Sequence, residues 1–315
     1  MAPTFLIVGA TGNTGKSVVE TLPKLLGSSK TLSGHRILAL TRSSKSPAAQ
    51  QLAKLPGVEL AEKNWVDITA DWLREQEVVR AFIASHNEPK HFADESTFHF
   101  EALDAGVKYV VRISTTAANV RPDCPAYYPR THWAIEQLLS SPEYKNMHWS
   151  SLQPNVFTPL YLSSAAELIK QYRKTGKQDT LKTMASADAP VGIIDPYDVG
   201  VFAAHLLAQD DTSPHNKARY VLNGPEDITG DQIVKMIEEY IGTKVENISF
   251  KDVSFLDYAV AQSPAEMKNL IESIKHAPET AWEGKCSTST TSKEVLELAA
   301  PKRTPAEVLK TLLDE

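Results

Sequence analysis

The stretch "FLIVGATGNTGKSVV", residues 5–19, decides the fold. Four apolar residues run straight into Gly9, and Gly12 and Gly15 follow at intervals of three before "KSVV" opens a helical pattern. A continuous apolar run bounded by glycine reads as a strand buried on both faces. In the β-α turn after it, the first glycine permits the tight turn, the second lets backbone approach a pyrophosphate, and the third allows helix and strand to pack closely. The helix N-terminus then offers N–H groups and a positive dipole end to phosphate. A rival reading is the phosphate loop of nucleotide triphosphatases, since Gly15, Lys16 and Ser17 match its closing residues. Ala10 stands where that pattern needs its first glycine, and no acidic strand end for magnesium follows. A tight β-α turn without a ligand is the plain alternative.

Outward from this turn the pattern repeats. Strands are expected at 36–42, at 58–65 ending near Asp67, at 77–85 with a partly helical start, at 107–115 and at 148–157. Helices alternate with them, the first containing Pro23, which is expected to kink or end it. Strands separated by crossover helices predict a Rossmann-type doubly wound parallel sheet, with a smaller C-terminal α/β substrate lobe. Residues 1–157 read as the dinucleotide domain, taking one more strand from 191–195 or 218–224, and 158–315 as the interleaved substrate lobe. Within that lobe "KQDTLKTMASADAPVG" reads as polar loop, and "CSTSTTSKE" as solvated loop and helix cap.

The second strand ends "ALTRSSK", with no acid to accept bonds from ribose hydroxyls. Thr41, Arg42, Ser43, Ser44 and Lys45 instead suit a 2′-phosphate, so NADP(H) is the expected cofactor. An ordinary solvated basic loop is the alternative.

Composition bounds the remaining classes. The 315 residues are 42% hydrophobic and 23% charged, enough for a large buried core. A net charge of -6 argues against nucleic acid as a partner. Two distant cysteines, Cys124 and Cys286, suit a reducing compartment, and no Cys/His cluster suggests zinc. His86 and His91 near Glu88 lack a third convergent group, so no metal is expected. No secretory leader and no membrane-length apolar run are read, which leaves a cytoplasmic address with nuclear entry open. Asp195 and Asp198 read as helix caps before paired acids.

The helix "YYPRTHWAIEQLL" carries the remaining chemistry. Pro129 fits a first helical turn. His132 and Glu136 share one side, with Trp133, Ile135 and Leu138 expected to supply the buried one. Short-chain reductases often place Tyr-x-x-x-Lys here; Tyr128 is followed four residues later by His132. Neutral histidine offers one donor and one acceptor, enough for a ribose hydroxyl but weaker than lysine at lowering a tyrosine pKa. His132 is expected to face the cofactor, with proton donor and packed side chain as alternatives. Tyr128 is a candidate acid set against aromatic packing.

Together "FLIVGATGNTGKSVV", "TRS", "ALDAGVKYVVRIST", "HWAIEQLL", "SLQPNVF", "YVLNGPEDITGDQIVKMI" and "PKRTPAEVL" resemble the NmrA-like family of atypical short-chain dehydrogenases, in order along nearly the whole chain. The helix is similar to that of the quinone- and dye-reductase branch, in a fungal-type member. The resemblance implies that Gly9, Thr11, Gly12, Asn13, Thr14 and Gly15 contact pyrophosphate and that Arg42 and Ser43 hold the 2′-phosphate. It places Asp67 and Ile68 by adenine, Ser85, His86, Ser114 and Thr115 along the cofactor, and Pro154, Asn155 and Phe157 beside nicotinamide. It further implies one of two functions. The first is an NADPH-dependent oxidoreductase acting on a small-molecule substrate, a conjugated carbonyl, quinone or secondary-metabolite intermediate. The second is a non-catalytic NADP(H) redox sensor with a regulatory protein partner. A homodimer is compatible with either, and a cofactor-dependent isomerase is a third use of the scaffold.

Overall fold

The glycine turn folds as the sequence predicts. A computed structural model describes residues 2–314, and in it strand β1 (Thr4–Val8) ends at Gly9, whose φ of +80° is a backbone state glycine adopts freely. Helix α1 (Gly15–Ser28) follows. A Cβ on Gly15 would stand 2.1 Å from the Gly9 carbonyl oxygen, so only glycine lets the helix start this close to the strand. Pro23 lies inside α1 and does not end it. The helix forgoes one hydrogen bond there and is held by the burial of Val18, Val19, Leu22 and Leu26. Full burial of such a side chain contributes about 2 kcal/mol.

The alternation continues through β2 (Arg36–Thr41), α2 (Pro47–Leu52), β3 (Val58–Glu62), α3 (Ala70–Glu75), β4 (Val78–Ile83), α4 (His91–Ala105), β5 (Tyr109–Ile113), α5 (Tyr127–Ser140) and β6 (His148–Pro154). Two details differ from expectation. The third strand stops at Glu62 and a 3-10 turn, Trp65–Asp67, replaces its predicted end. The fourth strand has no helical start: it is extended from Val78, and the separate α3, capped by Thr69, ends at Glu75 ahead of it, with Glu77 at φ 51° between them.

Beyond β6 come α6 (Thr158–Tyr161), α7 (Ser163–Thr175), β7 (Leu181–Lys182), α8 (Pro196–Leu207), β8 (Ala218–Leu222), α9 (Gly230–Ile241) and β9 (Ile248–Ser249). Helices α10 (Phe255–Gln262), α11 (Ala265–Ser273), α12 (Glu279–Trp282), α13 (Lys293–Ala299) and α14 (Pro305–Asp314) close the chain. The main sheet is parallel with order β3-β2-β1-β4-β5-β6-β8. Of the two candidate extra strands, 218–222 enters it, while Val191 and Ile194 make single bridges to Ile228 and Phe157. The order reverses direction between β1 and β4, and the crevice at such a switch point is where doubly wound folds bind ligands.

One face of the sheet packs on α1, α2, α8 and α13, the other on α3, α4 and α5. A third apolar cluster gathers α6, α7, α9, α12 and α14. The segment read as polar loop is partly core, because Leu181 and Ala185 are buried and β7 pairs with β9. The "CSTSTTSKE" patch is loop as expected, but its hydroxyls are spent: Asp227 accepts from Ser287 and Thr288, and Ser292 Oγ accepts from Val221 N–H. Asp195 caps α8 through the Tyr197 N–H, whereas Asp198 accepts from the backbone of Lys302 and Arg303. Among the described residues, no helix is long and apolar enough to cross a membrane.

Gly200 brings α8 against the start of α1. A Cβ there would meet Ser17 Oγ at 2.0 Å and the Thr14 carbonyl oxygen at 2.2 Å. Gly200→Ala should lower stability by about 3 kcal/mol in chemical denaturation. Gly27→Ala, on α1 with open space around its Cβ, should raise it by about 0.5 kcal/mol.

Candidate functional site

A cavity of about 630 Å³ opens at the switch point and runs from the glycine turn into the C-terminal lobe. Its floor is the turn itself, through Gly9, Gly12, Asn13, Thr14 and Gly15. Helix α1 meets it with no acidic residue in its first turn and no side-chain cap, so its N-terminal N–H groups are free of a competing carboxylate. Ser85 and His86 after β4, and Ser114 and Thr115 after β5, form one wall. Tyr128 and His132 come from α5, and Pro154, Asn155 and Phe157 from the end of β6. Fourteen positions expected from the sequence thus converge.

Others lie apart. Thr11 is half-buried in the turn outside the cavity lining. Thr41 is buried and bonds its own loop at Ser43. Arg42, Ser43 and Lys45 are exposed beyond the end of β2, and neither cation forms an ion pair among the described residues. Ser44 is held by Glu62 Oε2, which accepts from its N–H at 2.8 Å and its hydroxyl at 2.7 Å. Asp67 is exposed, but Ile68 is packed into the core beside Leu38 and Leu40, so its side chain is committed elsewhere. Asn155 builds the wall and has little left to offer a ligand. Its amide donates to Asn223 Oδ1 and the Cys286 carbonyl, and its oxygen accepts from Val156 N–H.

The far half of the cavity is apolar. Leu160, Tyr161, Met184, Leu256, Ile274 and Ala281 are among its lining residues, and none of the lining side chains is Asp, Glu, Lys or Arg. Cys286 lines it too, a position the sequence did not suggest, and burial pushes its thiol up. Cys124 is buried outside the lining and is likewise raised by burial. Ser114 Oγ is buried without a hydrogen-bond partner.

Helix α5 follows the sequence reading only in part: Ile135 is buried as expected, together with Leu139. His132 and Glu136 share that buried face, 3% and 1% exposed, while Trp133 and Leu138 are only half-buried. The cause is Arg112, fully buried in β5. Its Nε donates to Glu95 Oε1 at 2.5 Å, one terminal nitrogen to Ser151 Oγ at 2.9 Å, and the other to His132 Nδ1 at 2.8 Å. Glu95, from α4, also accepts from Ser85 Oγ (2.6 Å), His91 Nε2 (2.7 Å) and His99 Nε2 (3.2 Å). Glu136 accepts from Ser151, Gln153 and Arg219. Sequence reasoning missed Arg112, Glu95 and His99, although signals were present. An arginine inside "YVVRI" demands a buried acid, and His91, Glu95 and His99 are spaced by four on one helix face.

His91, Glu95 and His132 place a ligand atom each within 4.8 Å of one another. A metal ion does not fit there, because the lone pair of a neutral His132 is taken by Arg112 and the guanidinium would face the ion. Burial alone would raise Glu95, but Arg112 and the two histidine bonds carry its carboxyl well below the ordinary value. Burial and then Arg112 push His132 well below its ordinary value, and burial lowers His99 against the pull of Glu95. Burial raises the Tyr128 hydroxyl, opposed by a hydrogen bond to Thr115. Its ring stands edge-on to His132, centroids 6.4 Å apart.

Such a fold is the Rossmann-like α/β fold of NAD(P)-binding proteins, of the atypical short-chain dehydrogenase kind. The chain belongs to the NmrA-like family, whose model matches residues 1–303. No curated protein sequence matches it. Among solved structures it is similar to the NADPH complex of the quinone oxidoreductase QOR2 from Escherichia coli, with a TM-score of 0.73, 20% identity, and 98% and 99% of the two chains covered. It is similar to the NADP(H) complex of triphenylmethane reductase from Citrobacter sp., with a TM-score of 0.69, 20% identity, and 98% and 100% covered. The negative transcriptional regulator NmrA in complex with NAD gives a TM-score of 0.70, 16% identity, and 99% and 96% covered.

His99 and His132 have folded pKa values below the unfolded one of about 6.5, so the folded state binds fewer protons. Their contribution is complete above that pH and is lost as pH falls below it. Glu95 adds loss only below the ordinary carboxylate value, about pH 4.3. Denaturation midpoints should therefore fall between about pH 6.5 and 5, and His99→Gln, which keeps a donor for Glu95, should flatten that slope by up to about 1.4 kcal/mol per pH unit.

Proposed function

We propose that the chain is an NADP(H)-dependent reductase of a small, neutral, conjugated carbonyl compound such as a quinone. The carrying observation is the cavity that continues past Tyr128 and His132 into an apolar chamber without a formal charge on its walls. A module that only binds a dinucleotide has no need of that chamber, which favours the reductase over the regulatory reading.

The residues present fit the cofactor. The glycine turn leaves a cradle that side chains would fill, and the α1 N-terminus faces it without a carboxylate. Arg42, exposed at the end of β2 and without an ion pair among the described residues, would bind a 2′-phosphate. Bound there, the dinucleotide supplies a hydride. The apolar walls exclude water and hold a flat neutral acceptor close, which is where such a transfer gains most. Tyr128, its hydroxyl raised by burial, stays protonated through the neutral range and offers a hydrogen bond to the acceptor oxygen. No carboxylate or cation on the walls balances a charged acceptor.

Steady-state NADPH oxidation over a panel of quinones and enones tests the reading. Neutral members should turn over, carboxylated or quaternary-ammonium analogues should not, and Gly12→Val should abolish both turnover and binding. Tight NADPH binding with no turnover on any member would sink it. Arg42→Glu should weaken NADPH at least about tenfold while leaving NADH unaffected, read as Kd values by fluorescence titration.

A further inference from the structure

Arg112 and His132 meet behind the cavity wall, both buried, with the Arg112 terminal nitrogen 2.8 Å from His132 Nδ1. A guanidinium only donates, so Nδ1 is the accepting nitrogen and carries no hydrogen. A neutral ring then holds its one hydrogen on Nε2. Arg112 has no freedom to turn away, because Glu95 and Ser151 fix its other nitrogens. Every charged or titratable group facing the ring belongs to this arrangement: His91 and Glu95 from α4, Arg112 from β5, and Tyr128 and Glu136 along α5 itself. The buried His91 ring stands edge-on to it, 4.8 Å between centroids.

We propose that Arg112 is a positioning residue that locks His132 in its neutral form with hydrogen on Nε2, so that the cavity wall presents a fixed hydrogen-bond donor to a cofactor hydroxyl in place of a proton source. The ring cannot take up a proton, since its lone pair is committed to Arg112. It cannot give one up without becoming an imidazolate. The proton that completes a carbonyl reduction therefore comes from Tyr128 or water, a clause that rests on the reductase reading; the tautomer does not.

Nitrogen-15 NMR of the histidine-labelled full-length protein reads the tautomer directly, with His132 assigned by the signals lost in His132→Gln. The expected result is a bare Nδ1 and a protonated Nε2, unchanged between about pH 8 and about pH 5.5. Hydrogen on Nδ1, an exchange average, or titration within that range would overturn the proposal. NADPH titrations then separate the roles. Glutamine offers Arg112 an oxygen and the cavity an N–H but shuttles no proton, so His132→Gln should bind NADPH within about threefold of the parent, and His132→Leu at least about tenfold more weakly. Equal binding by both variants would reduce His132 to packing, and equal binding with turnover lost in both would make it the proton source; either refutes the lock. A chain without any reductase activity would fail the function proposed above, yet the tautomer and the two NADPH affinities would still decide this inference.

Discussion

One guanidinium organises the half of the molecule that faces the cavity. A buried charge is tolerated only where hydrogen bonds replace the water it loses, and Arg112 collects a carboxylate, a hydroxyl and an imidazole from three different elements. Meeting those demands orients α4 through Glu95 and α5 through His132, against a strand whose other residues are apolar. Removing either member of the Arg112–Glu95 pair would strand an ion in the core, a loss of about 3–5 kcal/mol in comparable proteins. Fold and site are coupled for this reason: the bonds that seat the helices also fix the His132 ring at the cavity wall.

The Tyr-x-x-x-Lys arrangement of short-chain reductases distributes its charge differently. That arrangement carries its cation on the helix, one turn from the tyrosine. Here the helix carries a neutral ring, and the cation stands one layer deeper, on β5. Tyr128 keeps its place on the cavity wall, and the cation of its own helix turn, Arg130, is engaged with the Cys124 and Pro125 carbonyls. Hydride transfer to a conjugated neutral acceptor asks little of such a group beyond a hydrogen bond.

Sequence alone carried the architecture a long way, and it is instructive where it stopped. Apolar runs and glycine spacing announced the parallel sheet and the switch-point turn, because both are local patterns with one physical solution. The orientation of α5 was not legible in the same manner. "HWAIEQLL" carries Trp133, Ile135 and Leu138, which read as the inner face. Ile135 is buried as read, but His132 and Glu136 share that face, held by Arg112, Ser151 and Gln153, while Trp133 and Leu138 are half-buried. Polar composition misled at 177–192 too, where β7 pairs with the distant β9 and Leu181 and Ala185 are buried within a hydrophilic run. Asn155, expected beside nicotinamide, lines the cavity, and its neighbours Asn223 and Cys286 come from far along the chain and claim its amide. Patterns within one element were readable; partnerships across some hundred residues were not.

Arg219 gives the network its last consequence. Through β6 the buried assembly holds two carboxylates, Glu95 and Glu136, against the single guanidinium of Arg112. Charge balance arrives only when β8 docks beside β6 and Arg219 reaches Glu136 at 2.7 Å. The outermost strand of the sheet is therefore the counter-ion of a site near its centre. A chain ending before residue 218 could form every other strand of the main sheet and still carry an unneutralised charge in its core, so the cavity wall is finished electrostatically from the edge inward.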